Sequence, residues 1–272
     1  MIQKDDSIRG NAPDANPVPP RGFGLVYADN HLLAADKPAG TPSQPDASGD
    51  PALSELAKEW LRREYAKPGN VYLALLHRLD RPVSGLVLMA RTDKAAGRMA
   101  AAFRDRKIVK RYLAIVQCHG APRPGAELED LLAPRNGGGM ETTRSRKRAG
   151  AKTARLKYAV LARSANGKYA LLSVLLGTGV KHQIRVQLAN IGLPLVGDFR
   201  YGAFGRPARP EPVPGGGAIL LHAARLAFDH PVGKGRMTLT APTPGHWRQW
   251  LAQMPGIGGE PADLLTGDEC GT

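Results

Sequence analysis

The segment LLHRLDRPVSGLVLMART, residues 75–92, is where this chain most clearly offers chemistry. Its charged HRLD stretch lies between an apolar run and the buried strand expected over Gly85–Ala90, so Asp80 is delivered at a sheet edge rather than in open solvent. Arg78 and Arg81 flank it, and neighbouring cations favour the ionised form of a carboxyl group. An ionised carboxylate placed there can act as a nucleophile or as a base. The commoner role for an aspartate between two arginines is membership of a structural ion pair.

A second segment, LLGTGVKHQIRVQLANIGLPLVGDFRYG, covers residues 175–202. A glycine-framed turn with Lys181 and His182 opens a helix over His182–Ile191. Ile184, Leu188 and Ile191 form its apolar stripe, and Gly192 ends it at the C′ position. Arg185 falls beside that stripe, so its guanidinium can reach inward to a carboxylate, although a surface arginine is the ordinary reading. The turn containing Gly197, Asp198 and Gly202 reads as architectural. Glycosidases commonly need a second carboxylate near the first. The HRLD and HQIRV segments supply no such partner, which disfavours base release as the reaction.

Elements that could position these groups follow from periodicity. GLVYADNHLLAADKP reads as a hairpin turning at Asp29–Asn30. Asp50 and Pro51 read as the cap and first residue of a helix whose buried face is Leu53, Leu56, Ala57, Trp60 and Leu61. A helix is expected over Lys94–Arg106. Strands are expected over Ile108–Val116, Tyr158–Leu161, Tyr169–Leu175, Leu220–Phe228 and Met237–Thr240. Without strict βαβ alternation, these indicate an α+β fold with a mixed, largely antiparallel central sheet flanked by helices.

The domain reading is a disordered arm over residues 1–22, a catalytic block over 23–253 and a flexible acidic tail over 254–272. Of the 272 residues, 42% are hydrophobic, enough for a sizeable core. No run reaches the roughly 18 apolar residues of a membrane span. The chain's start lacks the pattern of an export signal, and two cysteines are too few for a disulfide framework, so a reducing cytoplasm is expected. Lys and Arg number 38 against 24 acidic residues, a net +14 that favours a polyanionic partner, nucleic acid above all. Seven cations in fourteen positions make Arg144–Lys157 a solvated loop suited to a phosphate backbone. Gly205–Gly217 is expected to be an external loop.

The segments HRLD-x-x-x-SGL, KRYLAIV, HQIRV, PLVGDFRYG and LLHAARLAFDHP, preceded by VYADNHLLAADKPAG, occur in one order. Together they closely resemble the RluA family of pseudouridine synthases over residues 25 to about 244. The resemblance implies the pseudouridine synthase fold and isomerisation of uridine in ribosomal or transfer RNA, with no cofactor and no metal. It implies Asp80 as catalytic aspartate, Tyr112 as the residue that stacks on the target base and assists proton transfer, and Arg185 as partner of Asp80. Arg78 matches the arginine implicated in displacing the base. Further RNA contacts are expected from Arg81, Lys110, Lys152, Lys181 and His182, and from Arg144, Arg146, Lys147 and Arg148. The chain departs from the family pattern at Val83, Val180 and Gln187, positions bearing on substrate choice. The alternative is a non-catalytic RNA-binding or RNA-chaperone protein on the same fold, which loss of Asp80, Tyr112 or Arg185 would favour; all three are present.

Overall fold

The computed structural model describes residues 22–66, 69–202, 218–257 and 260–265. In chain order the larger elements are β1 (Gly24–Ala28), β2 (Leu32–Lys37), α1 (Leu53–Glu64), β3 (Ala74–Leu75), β4 (Ser84–Ala90), α2 (Asp93–Arg104) and β5 (Val109–Gln117). There follow β6 (Gly125–Pro134), β7 (Met140–Thr142), β8 (Lys152–Arg163), β9 (Tyr169–Leu176), α3 (Gln183–Asn190), β10 (Leu221–Asp229), β11 (Arg236–Thr240) and α4 (Arg248–Leu251).

The strands form one sheet in the order β1-β2-β4-β10-β5-β9-β8-β6-β7, with β11 also on β10 and β3 also on β4. Every pairing is antiparallel except β4 with β10. The α+β expectation and its mixed sheet therefore hold. The parallel seam is tight: a Cβ on Gly85 would lie 2.4 Å from the Ala223 carbonyl oxygen, and Gly85 has φ +112°, so only glycine fits.

The core occupies both faces of the sheet, which is why strands such as β4 and β9 read as nearly continuous apolar runs. Along β5, Tyr112, Ala114 and Val116 face the side packed by α1 and α3, while Leu113 and Ile115 face Trp247 and Trp250. The two-residue period of a strand thus decides which side Tyr112 enters. Its side also carries Val174, Ile184 and Leu188.

Several boundaries differ from expectation. Asp50 does not cap α1; its carboxylate pairs with Arg81, and Ala52 is the N-cap, its N–H donating to Glu55 Oε2 at 3.0 Å. The basic segment is a loop only in its first half. From Lys152 it is strand β8, because Ala154, Leu156 and Tyr158 alternate inward between cations that stay at the surface. β6 and β7 were not anticipated. α3 is no amphipathic helix, since Gln183–Ala189 are all buried. Ile191, expected inward, is 40% exposed, because the helix ends at Asn190 and Gly192 turns the chain at φ +80°. The tail expected to be loose from residue 254 is packed at several points: Met254, Ala262 and Leu265 are buried beside Trp250, and Thr243 N–H donates to Glu260 Oε1 at 2.8 Å. Residues 1–21, 203–217 and 266–272, which include most of the arm and the Gly205–Gly217 loop, lie outside the described residues.

Candidate active site

Asp80 sits in the turn between β3 and β4, and its neighbours are clamped by the segment after β2. Ser43 Oγ donates to Leu79 O at 2.9 Å and accepts from Leu79 N–H at 3.1 Å. On the other side, Arg81 O accepts from Gly40 N–H at 2.8 Å and from Lys37 Nζ at 3.2 Å. Lys37 is fully buried and donates also to Pro38 O at 3.0 Å and Thr41 O at 2.7 Å. Burial pushes its ammonium down to about 7, with the Asp80 charge opposing. The Lys-Pro-x-Gly turn is therefore the backbone clamp of Asp80.

From the opposite wall α3 brings Arg185, 105 residues later in the chain, whose Nη1 donates to Asp80 Oδ2 at 3.1 Å. The guanidinium is shared. Its Nε donates to Asp198 Oδ2 at 2.7 Å and its Nη2 to Asp198 Oδ1 at 2.9 Å. Asp198 is buried, and Oδ1 also accepts the N–H groups of Arg200 and Tyr201 at 3.2 and 3.3 Å. The fork is thereby fixed before it meets Asp80, a geometry lysine cannot reproduce. Sequence reasoning missed Asp198, reading its turn as architectural. Of the cations expected beside Asp80, Arg185 pairs with it directly, whereas Arg81 turns away to Asp50 and Arg78 is exposed.

The cleft around Asp80 encloses about 710 Å³ and is lined by Tyr112, Leu221 and a ring of cations. Arg78, Lys110, Lys152, Lys181, His182 and Arg185 all reach it. Burial, then the Asp80 charge, raises the Tyr112 phenol well above its ordinary value, so the hydroxyl stays protonated at neutral pH. His77 was not singled out. It lines the cleft, its Nε2 accepts from Leu88 N–H at 3.0 Å, and burial lowers it to about 3.

Arg81 is outside the cleft, as are Arg144, Arg146, Lys147 and Arg148. The first three of that basic group stand exposed on the β7–β8 loop, whereas Arg148 pairs with Glu141 and donates to Pro134 O at 3.0 Å. The departures from the family pattern also find places. Val83 is buried beside Asp80 and Val180 lines the cleft wall. Gln187, fully buried, accepts from Gln183 Nε2 at 2.9 Å and donates to Asp130 Oδ2 at 2.8 Å. Among the described residues no group of three or more His, Cys, Asp or Glu side chains is placed to hold a metal ion, and no helix is long and apolar enough to cross a membrane.

The family model for RNA pseudouridylate synthase matches residues 31–190, spanning the clamp, Asp80, Tyr112 and Arg185. The chain belongs to the RNA pseudouridylate synthase family. Among related synthases, the ribosomal large subunit pseudouridine synthase C of Vibrio cholerae is 32% identical over 238 residues, covering 85% of this chain and 69% of that one. The tRNA pseudouridine synthase C of Haemophilus ducreyi is 29% identical over 234 residues, covering 84% of this chain and 94% of that one. The solved human RNA pseudouridylate synthase domain containing 4 shares the fold, with a TM-score of 0.68 at 24% identity, over 85% of this chain and 92% of that one. This chain is accordingly an RNA pseudouridine synthase, an isomerase.

Proposed function

We propose that Asp80 is the reacting carboxylate, that Arg185 holds it, and that Tyr112 holds the target base, in a uridine of ribosomal or transfer RNA. The observation that carries this is the meeting of Asp80 and Arg185 at 3.1 Å in a cationic cleft that also presents Tyr112. The relatives named for ribosomal and transfer RNA support both substrate classes.

Pseudouridine formation breaks N1–C1′, turns the uracil and joins C5 to C1′, while the C5 proton leaves and N1 gains one. Atoms and electrons balance within the nucleotide. The base must first leave its stack, at a cost of a few kcal/mol that is smaller in a loop. Stacking on an aromatic ring returns roughly 1–3 kcal/mol. Asp80 then either bonds to C1′ or stabilises a glycal-like intermediate, and both routes need the carboxylate. Tyr112, with its proton retained, is a donor poised between Asp80 and the base. Arg78, Lys110, Lys152 and Lys181 contribute phosphate contacts around the cleft. A cytoplasmic location fits Cys118, a free thiol.

Asp80→Asn tests the assignment. With cellular RNA and a tritium-release assay, the parent releases label from C5 without releasing uracil, and Asp80→Asn binds RNA but gives no turnover. An active Asp80→Asn protein would overturn the role given to Asp80.

A further inference from the structure

The geometry points to a positioning chain, Met140–Tyr201–His182, that holds one oxygen of the Asp80 carboxylate and leaves the other free to react; it rests on the reading of Asp80 as the reacting group. The chain starts at a backbone amide. Met140 N–H donates to Tyr201 Oη at 2.9 Å, and Tyr201 Oη lies 2.6 Å from His182 Nδ1. On the far side of the ring, His182 Nε2 is 3.5 Å from Asp80 Oδ2, the oxygen that Arg185 also reaches. That contact is longer than a full hydrogen bond, and catalytic contacts commonly tighten only once substrate is bound. Among the described residues no hydrogen bond holds Asp80 Oδ1.

The direction of the chain follows from what each atom can do. A carboxylate oxygen only accepts, so the nitrogen facing it, Nε2, carries the proton. In a neutral imidazole Nδ1 is then the acceptor, and Tyr201 supplies the hydroxyl proton. Met140 N–H can only donate, so it occupies a lone pair of Tyr201 Oη and leaves that proton directed at His182. The neutral state has a cause as well. Burial lowers His182 to about 4; the Asp80 charge opposes this, while Arg185, Lys181 and Arg200 reinforce it.

Two backbone features fit a built device. His182 is a non-glycine residue in the left-handed region, φ 55°, and such residues persist where surrounding structure fixes them. Gly139 has φ +92°, and a Cβ there would lie 2.9 Å from Tyr201 Oη. Gly139, in a run otherwise only a turn signal, thus permits the first link.

The test uses the full-length chain, labelled with ¹⁵N-histidine, and three variants: Tyr201→Phe, His182→Asn and His182→Gln. Asparagine tolerates the left-handed backbone and is too short to reach Asp80, whereas glutamine reaches it. At pH 7 the imidazole resonances of His182, identified by their loss in His182→Asn, are expected to report the neutral Nε2–H tautomer. Tyr201→Phe and His182→Asn are expected to lower kcat about ten- to a hundredfold with KM for RNA within about twofold, the pattern of misplaced reacting groups. His182→Gln is expected to recover part of that kcat. Without the tyrosine hydroxyl on Nδ1, His182 in Tyr201→Phe takes up a second proton more readily, so its activity falls at a higher pH than the parent's. An Nδ1–H tautomer or an imidazolium in the parent overturns the chain. So does a kcat for His182→Asn equal to the parent's alongside an inactive Asp80→Asn, which leaves the role of Asp80 standing. An active Asp80→Asn removes both.

Discussion

Two aspartates share one guanidinium, and their replacement by asparagine should separate stability from activity. Asp198→Asn strikes a buried pair in which the carboxylate, 1% exposed, accepts from Arg185 Nε and Nη2 and from two backbone N–H groups. An asparagine amide keeps one accepting oxygen but points N–H protons at a guanidinium that can only donate. Removing one partner of a buried ion pair costs about 3–5 kcal/mol, because the remaining charge stays desolvated. For a domain of this size about 1 kcal/mol lowers Tm by roughly 2–4 °C, so a fall of roughly 6–20 °C is expected. Asp80→Asn presents the opposite case. Its side chain is 20% exposed, Arg185 keeps the two-pronged bond to Asp198, and the two carboxylates no longer compete for one cation. Its stability change should stay within about 1 kcal/mol, the range of partly exposed pairs, while turnover disappears. Thermal unfolding followed by circular dichroism, with tritium release on the same preparations, reads both quantities. If Asp198→Asn unfolds within a degree or two of the parent, Asp198 is not the anchor of Arg185 and the account of the site's rigidity is wrong.

The other predictions concern binding, proton transfer and acid. Substituting Arg144, Arg146 and Lys147 with Gln should reduce the steepness of log K against log salt by about 0.7–0.9 for each phosphate no longer neutralised, whereas Arg148→Gln, already paired with Glu141, should change it less; an unchanged slope in the triple variant removes the loop from the RNA interface. Tyr112→Phe keeps the ring and loses the raised phenol, so RNA affinity should hold while turnover falls; equal turnover rules out a role for the hydroxyl. Burial lowers His77 to about 3 and His182 and His222 to about 4, so the folded chain binds fewer protons there than the unfolded chain does. Stability from these neutral rings is complete above the unfolded histidine value near 6.5 and is lost as pH falls from there toward 4. Urea unfolding should therefore show a lower midpoint at pH 5.5 than at pH 7.5, and a midpoint independent of pH across that interval contradicts the burial of these rings as neutral groups.

What the sequence made legible is what is local and periodic. β4, β9 and the Tyr112–Val116 part of β5 announce themselves because both faces are buried and the runs are almost wholly apolar. β6 does not, because Glu127 and Glu129 alternate with half-buried residues at the sheet's outer side and imitate a charged loop. The first half of β8 hides for the same reason behind Arg155 and Lys157, which pair across to those glutamates, while its Tyr158–Leu161 half was expected. At the site, the inward reach of Arg185 was visible from its place beside the helix stripe. Its bond to Asp198 was not, since two segments on either side of a turn meet only when Gly192 and the Leu195–Asp198 turn have folded. The burial of Lys37 was equally invisible: nothing in a lysine before a proline announces three carbonyl acceptors. The resemblance supplied the roles of Asp80 and Tyr112, which residue types alone left open.

The position of β10 between β4 and β5 also orders events during synthesis. When residues up to 202 have left the ribosome, β1, β2 and β4 can pair with one another, and so can β5 to β9, but these are two separate ribbons with facing unpaired edges. Asp80 belongs to the first ribbon; Tyr112 lies in the second, and Arg185 follows it on α3. Among the described strands, Leu221–Asp229 alone is hydrogen-bonded to both ribbons, parallel to β4 on one side and antiparallel to β5 on the other. Such long-range closure is slow compared with hairpin pairing and leaves strand edges open to other chains meanwhile. The nascent enzyme therefore holds every proposed catalytic group well before it holds a catalytic site, and it acquires that site in one late step, the insertion of a single nine-residue strand.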